Sequence, residues 1–214
     1  MTSTDQQVFI VDDDEAVRDA MSMLLDTIRL SHRCFTGAAD FLDFYDGTQR
    51  GCLGLDIRMR GMNGVELQQR LKHDNAMLPI IFITGHGDIP MAVEAMRQGA
   101  VDFMRKPFRE QDLLDRIQQA LNQEADARNT LLERAKYLDR IASLSTREKE
   151  VFECVVEGHA NKVIAADLGI SERTVEVHRA HVMKKLNART LAQLVRIKIE
   201  SEQPMDPSLT PGNT

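Results

Sequence analysis

The sequence predicts an α/β domain built on a doubly wound parallel sheet, followed by a smaller all-α domain. Three observations predict it. Short apolar runs alternate about five times with amphipathic helical stretches through the first half of the chain. Acids, a hydroxyl and an amine follow those runs, at the positions where strands would end. Beyond Phe108 the pattern turns helical, and its later part is basic.

The first strand, Val8-Phe9-Ile10-Val11, runs into Asp12 and Asp13, and an amphipathic helix follows from Glu15 to Thr27. The weakest strand is expected near His32 to Phe35, ahead of a helix from Ala38 to Asp46. Cys52-Leu53-Gly54-Leu55 leads to Asp56 and then to a helix from Val65 to His73. Ile80-Ile81-Phe82-Ile83 leads to Thr84 and a helix from Pro90 to Gln98. Asp102-Phe103-Met104-Arg105 leads to Lys106 and a helix from Asp112 onward. Such runs suit parallel strands buried on both faces and joined by right-handed crossovers, although Gly54 and Asp102 weaken theirs.

Between residues 112 and 142, Leu114, Ile117, Leu121, Leu131, Ala135 and Leu138 recur near a period of 3.5. Glu124 and Arg128 interrupt the seam and are spaced for an ion pair along one helix. The seam reads either as a pairing surface between two chains or as an amphipathic helix lying on its own domain.

The all-α domain begins at Leu144. Ser145 and Glu148 form a capping-box signature, and Val151, Phe152, Val155 and Val156 make one apolar face ending at Gly158. Asn161 is expected to cap a second helix, Lys162 to Leu168, closed by Gly169; Ser171 a third, to Leu186; and Thr190 a fourth, to about Glu200. Two helices joined by a tight turn containing glycine, the second one basic, are the elements of a helix-turn-helix. Pro204, Pro207, Pro211 and Gly212 mark an expected disordered tail.

Composition narrows the function classes. No apolar run is long enough to span a membrane and Met1 to Gln7 has no basic-then-apolar leader pattern, so a cytoplasmic protein is expected. Cys34, Cys52 and Cys154 are scattered and odd in number, which favours buried reduced thiols over zinc ligands or disulfides. The net charge of -6 lies wholly within residues 1–122. Later in the chain Arg173, Arg179, Lys184, Lys185, Arg189, Arg196 and Lys198 face a single acid, Glu176, so the two halves should meet different partners.

In an open parallel sheet, ligands bind outside the carboxyl ends of the strands. Asp12, Asp13, Asp56, Thr84 and Lys106 are therefore expected to meet at one sheet edge. Carboxylates brought together repel, and protonation or a divalent cation relieves them. All-oxygen donors of this kind favour magnesium. With a metal on one side and Lys106 on the other, a phosphoryl group on an Asp56 oxygen would be neutralised from both directions, with Thr84 as a hydrogen-bond donor. Any one of these residues reads equally well as a helix cap, a loop cap or a surface amine; their joint occurrence at strand ends carries the reading.

Residues 7 to 122 resemble the receiver domain of bacterial two-component systems. The resemblance rests on Ile10-Val11-Asp12-Asp13-Asp14-Glu15, Leu55-Asp56-Ile57-Arg58-Met59, Ile83-Thr84-Gly85-His86-Gly87-Asp88 and Phe103-Met104-Arg105-Lys106-Pro107-Phe108. Thr84 to Ala100 is similar to regulators of the FixJ type. Residues 144 to 200 resemble the LuxR-type four-helix domain, and Arg173-Thr174-Val175-Glu176-Val177-His178-Arg179-Ala180 is again similar to the FixJ branch.

The resemblance implies a receiver over residues 1–122 with sheet order 2-1-3-4-5, a helical linker over 123–143, a LuxR-type domain over 144–201 and a tail over 202–214. Asp56 would accept a phosphoryl group from a sensor kinase histidine. Asp13, Asp56 and the backbone carbonyl of Arg58 would bind Mg2+, Asp12 would act through a metal-bound water, Thr84 and Lys106 would contact the phosphoryl oxygens, and Phe103 would be an aromatic switch. The Lys106-Pro107 bond would be cis. Phosphorylation would produce a homodimer that binds promoter DNA and activates transcription through RNA polymerase. The receiver would catalyse only its own phosphorylation and dephosphorylation.

Within a helix-turn-helix spanning Asn161 to Ala180, Val175, Val182 and Leu186 form the expected buried stripe. Arg173, Thr174, Glu176, Val177, His178, Arg179, His181 and Lys184 are the candidate DNA contacts. Val177 suits a thymine methyl, Glu176 a cytosine amino group, and the basic residues suit phosphates. Leu191, Leu194 and Val195 read either as a dimer contact or as core.

Two residues depart from the family pattern. Arg60 stands where proline is usual, which relaxes its loop and brings a cation near the site; Gly54 stands where a branched apolar residue is usual, which should cost packing. A phosphatase of the haloacid dehalogenase type would need an acid at position 58, where the chain has Arg58. A constitutive DNA-binding protein with a receiver used only for interaction is the other alternative.

Overall fold

The computed structural model describes residues 6–85 and 89–202. His86, Gly87 and Asp88 of the motif, and the expected tail from residue 203 on, lie outside them. The elements run β1 (Gln7–Val11), α1 (Glu15–Thr27), β2 (His32–Phe35), α2 (Ala38–Phe44), β3 (Gly51–Leu55), α3 (Gly64–His73), β4 (Ile80–Thr84), α4 (Ile89–Arg97), β5 (Asp102–Arg105), α5 (Glu110–Ala142), α6 (Thr146–Val156), α7 (Asn161–Leu168), α8 (Glu172–Lys185) and α9 (Leu191–Glu202). Two compact units divide within α5, after Asn129.

Local chemistry explains the boundaries. Asp14 caps α1 by accepting from the Ala16 N–H at 3.0 Å. α2 stops short of the expected Asp46, whose carboxylate turns the chain by accepting from the Thr48 N–H and hydroxyl. Asn63 and Glu66 form a capping box that starts α3.

The strands are all parallel, in the order β2-β1-β3-β4-β5, as the resemblance implied. Alternate residues face opposite sides. Phe9, Val11, Leu53, Leu55 and Phe82 pack with Phe41 of α2, Leu67 and Leu71 of α3 and Ala95 of α4. On the other face, Val8, Ile10, Cys52, Ile81 and Ile83 pack with Met21 and Leu25 of α1 and with Leu113, Ile117 and Leu121 of α5. The doubly wound arrangement thus places helices on both faces of the sheet.

Gly54 corrects an expectation. A Cβ there would sit 3.3 Å from Met21 Cε and 3.4 Å from Ile83 Cδ1, so those two side chains already fill the space. No packing is lost, because a flexible methionine reaches into the position a branched side chain would take. Among the cysteines, Cys52 is buried, whereas Cys34 and Cys154 are half-buried; all three are free thiols.

The early part of the helical seam lies on its own unit. Ile117 and Leu121 are buried against the sheet and Leu114 half-buried. In the second unit, Tyr137 and Ile141 pack against the helical core while Leu132 and Leu138 stay exposed. Leu194 and Ile197 of α9 belong to that core, so Leu194 is core, whereas Leu191 is exposed.

Glu124 does not merely interrupt the seam: it is 1 % exposed. Its carboxylate accepts from Gln6 at 2.7 Å, Arg50 at 3.2 Å and Arg128 at 2.7 Å. Burial works to raise this carboxyl, but the three donors outweigh it and hold it below the ordinary glutamate value. Replacing Glu124 by alanine strands Arg50 and Arg128 against the same pocket. The Glu124→Ala variant should lose about 3 kcal/mol of stability in the first unit, read as a lower urea midpoint of that unit's transition.

Candidate functional site

The sheet brings Asp12, Asp56, Thr84 and Lys106 to one edge. Successive strand ends are tied by backbone bonds: Asp12 N–H to the Phe35 carbonyl, Asp56 N–H to the Val11 carbonyl, and Lys106 N–H to the Thr84 carbonyl. The Lys106-Pro107 peptide is cis. Asp12, Asp56 and Thr84 are all buried, and Lys106 reaches over them: its Nζ lies 2.6 Å from Asp12 Oδ2 and 3.3 Å from Asp56 Oδ1.

Each carboxylate has a second donor. Asp12 Oδ1 accepts from the Asp14 N–H at 2.9 Å, and Asp56 Oδ2 from the Arg58 N–H at 2.8 Å. Burial pushes the Asp56 carboxyl above its ordinary range and the charge of Asp12 pushes the same way; Lys106 and the Arg58 N–H oppose them without cancelling them. Phe103 is half-buried beside the α2–α3–α4 core.

Asp13 is more exposed and is engaged elsewhere. Its Oδ2 accepts from the Arg60 N–H at 3.3 Å, and the Arg60 guanidinium Nε stands 3.9 Å away. Among the described residues, no three carboxylate, histidine or cysteine side chains form a group that could hold a metal ion as they stand. In kind, the donors fit a hard cation: they are carboxylates, one of them raised by burial and a neighbouring charge.

Two further residues shape this edge. A Cβ on Gly64 would fall 2.3 Å from the Asp56 carbonyl oxygen, so only glycine lets α3 begin this close to the strand end. The Asn63-Gly64 pair at a helix start was the available signal. Arg18 Nη1 donates to the Asp12 carbonyl at 2.7 Å, a contact with no local signature.

In the second unit, α7 and α8 form the expected helix-turn-helix, with Gly169 left-handed at φ 65°. Val175, Val182 and Leu186 are buried. Arg173, Glu176, Val177, His181 and Lys184 are exposed, and Thr174, His178 and Arg179 half-buried. Arg173 pairs with Glu176 at 3.0 Å.

Asn161 does not cap α7. Ala160 holds the cap position without a side-chain bond, while Asn161 Oδ1 accepts from Arg179 Nη1 at 3.0 Å. The guanidinium is a charged donor and wins the side chain from the helix's own N–H groups.

The Ser145–Glu148 capping box is present, and Glu148 also accepts from Lys185 Nζ at 2.6 Å, with His181 Nδ1 at 3.6 Å. The Lys185 bond, with the Ser145 N–H, lowers the Glu148 carboxyl to about 2. Lys185 and His181 thereby bind α8 to the start of α6.

Comparison with known proteins follows this division. Residues 8–118 match the response regulator receiver domain, and residues 142–198 match the bacterial regulatory proteins of the luxR family. The chain is 42% identical to the transcriptional regulatory protein FixJ of Bradyrhizobium diazoefficiens, over 93% of this chain and 97% of that one. It is 45% identical to the response regulator protein TodT of Pseudomonas putida, over 89% of this chain and 84% of that one. Among solved structures, the response regulator StyR shares 44% identity with a TM-score of 0.83, covering 92% of this chain and 100% of that one. Full-length FixJ from B. japonicum shares 42% identity with a TM-score of 0.59, covering 93% and 98%.

Two measurements check the electrostatics. In Lys106→Ala the Asp56 carboxyl should titrate still higher than in wild type, followed by its 13C shift; an unchanged or lower midpoint contradicts the bridge. Because Glu148 is lowered from 4.5 to about 2, its contribution to stability is complete above about pH 4.5 and lost as pH falls toward 2. Glu148→Gln should remove that acid-side slope from the thermal unfolding of the second unit.

Proposed function

The chain belongs to the two-component response regulators that join a receiver to a LuxR-type DNA-binding domain, in the FixJ-like branch, and on that footing we propose that phosphorylation of Asp56 switches its DNA binding. The observation that carries the reading is Lys106 Nζ bridging Asp12 and Asp56 at the carboxyl edge of the sheet. Receivers of this family work with Mg2+, and its regulators work with a sensor kinase and DNA.

In this reading Asp12, Asp13, Asp56 and the Arg58 backbone carbonyl would hold Mg2+, which would supply positive charge to neutralise phosphoryl oxygens. An Asp56 carboxylate oxygen attacks the phosphorus of a kinase phosphohistidine; the P–N bond breaks as the acyl-phosphate P–O bond forms. Lys106 then exchanges part of its hold on Asp56 for the new phosphoryl oxygens, and the Thr84 hydroxyl donates to them. Phe103, half-buried next to the core, turns further inward as Thr84 moves, biasing a two-state equilibrium.

The output is a homodimer that offers two α8 helices to two half-sites of promoter DNA. Arg173, Thr174, Glu176, Val177, His178, Arg179, His181 and Lys184 serve as its contact set, and contact with RNA polymerase activates transcription. Arg179, while part of that set, also fixes α7 against α8 through its bond to Asn161. None of the described helices is long and apolar enough to cross a membrane. A regulator that binds promoter DNA would work in the cytoplasm.

The test combines intact mass, sedimentation and promoter binding with Mg2+ and a small-molecule phosphodonor. Wild type should gain one phosphoryl group, sediment as a dimer and bind DNA more tightly, and Asp56→Asn should do none of these. Unchanged mass with intact DNA binding would make the receiver an interaction module only.

A further inference from the structure

The loop between β3 and α3 contains a feature the proposed chemistry does not use. The backbone N–H and the guanidinium of Arg60 both address one oxygen, Oδ2 of Asp13, at 3.3 Å and 3.9 Å. A proline at this position would supply neither donor, since it has no N–H and no charge. Two other cations near this edge have different work: Lys106 bridges Asp12 and Asp56, and Arg18 holds the Asp12 carbonyl. Arg60 itself is 98 % exposed and Asp13 31 % exposed, so their pairing is readily reversible.

A cation that takes Asp13 as a ligand must displace these donors or share the carboxylate with them. We propose that Arg60 is an internal competitor for Asp13 and lowers the affinity of the site for magnesium. The inference rests on the reading of Asp13 as a Mg2+ ligand. Its two components differ in physical character. The guanidinium attraction is between exposed charges and is screened by salt, whereas the backbone hydrogen bond is short-ranged and persists. An exposed pair is worth little, so the effect is modest: removing both donors should tighten Mg2+ binding roughly two- to five-fold.

Calorimetric titration of the full chain with Mg2+, in the absence of any phosphodonor, tests this. Arg60→Pro removes both donors and should bind tightest; Arg60→Ala removes only the guanidinium and should fall between it and wild type. Raising the salt should close the gap between wild type and Arg60→Ala while leaving that between Arg60→Ala and Arg60→Pro. Should Arg60→Pro fail to fold by circular dichroism, the low-salt comparison of Arg60→Ala with wild type decides alone. Variants that bind no more tightly than wild type overturn the role of Arg60. A wild-type chain that takes up no Mg2+ instead overturns the ligand reading beneath it.

Discussion

The amine of Lys106, 2.6 Å from Asp12 and 3.3 Å from Asp56, is the interaction on which the carboxyl edge of the sheet depends. Two buried carboxylates at the ends of neighbouring strands repel, and removal of water strengthens that repulsion along with any attraction that offsets it. One cation from β5 reaches across the buried end of β4 to satisfy both. The balance is incomplete: burial and Asp12 still raise Asp56 against the pull of Lys106 and the Arg58 N–H. A carboxylate held in this partly relieved state is poised to gain from additional positive charge, which is the electrostatic condition the proposed metal binding and phosphoryl transfer would exploit.

The inverse arrangement, one carboxylate among several donors, appears twice as scaffolding. Glu124 gathers Gln6, Arg50 and Arg128, and Glu148 gathers the Ser145 N–H, Lys185 and His181. A buried carboxylate with one partner costs more than it returns, whereas several charge-assisted hydrogen bonds can offset its desolvation. Each glutamate thus fastens helix to chain segments far off in sequence. A consequence for the basic face of α8 is that its charges are not equivalent. Half-buried Arg179 bonds Asn161 and Lys185, though exposed, bonds Glu148, so both are already engaged within the domain.

Much of this was legible beforehand, for identifiable reasons. β2, β5 and all of α1 begin and end at the expected residues, and for α1 a local signal, the Asp14 cap, marks the start. Apart from the end of α2, which the local Asp46–Thr48 turn cuts short, the misreadings were long-range. Asn161 has the chemistry of a cap, but whether its carbonyl oxygen turns to its own helix or to Arg179, 18 residues on, depends on where α8 lies. Gly54 looked like lost packing because the sequence does not reveal that Met21 fills the space. Gly64 matters through a backbone approach to Asp56 that only the folded loop creates.

By itself, then, the sequence determined the element order, the two fold classes and the residue types at the strand ends. Periodicity and punctuation act over a few residues and survive without three-dimensional context. The tertiary structure alone decided which charges meet: Lys106 with Asp12 and Asp56, Arg60 with Asp13, and Arg50 with Glu124 across 74 residues. Electrostatic partnership depends on separation in space and on exclusion of water, and neither quantity is written along the chain until the sheet has formed.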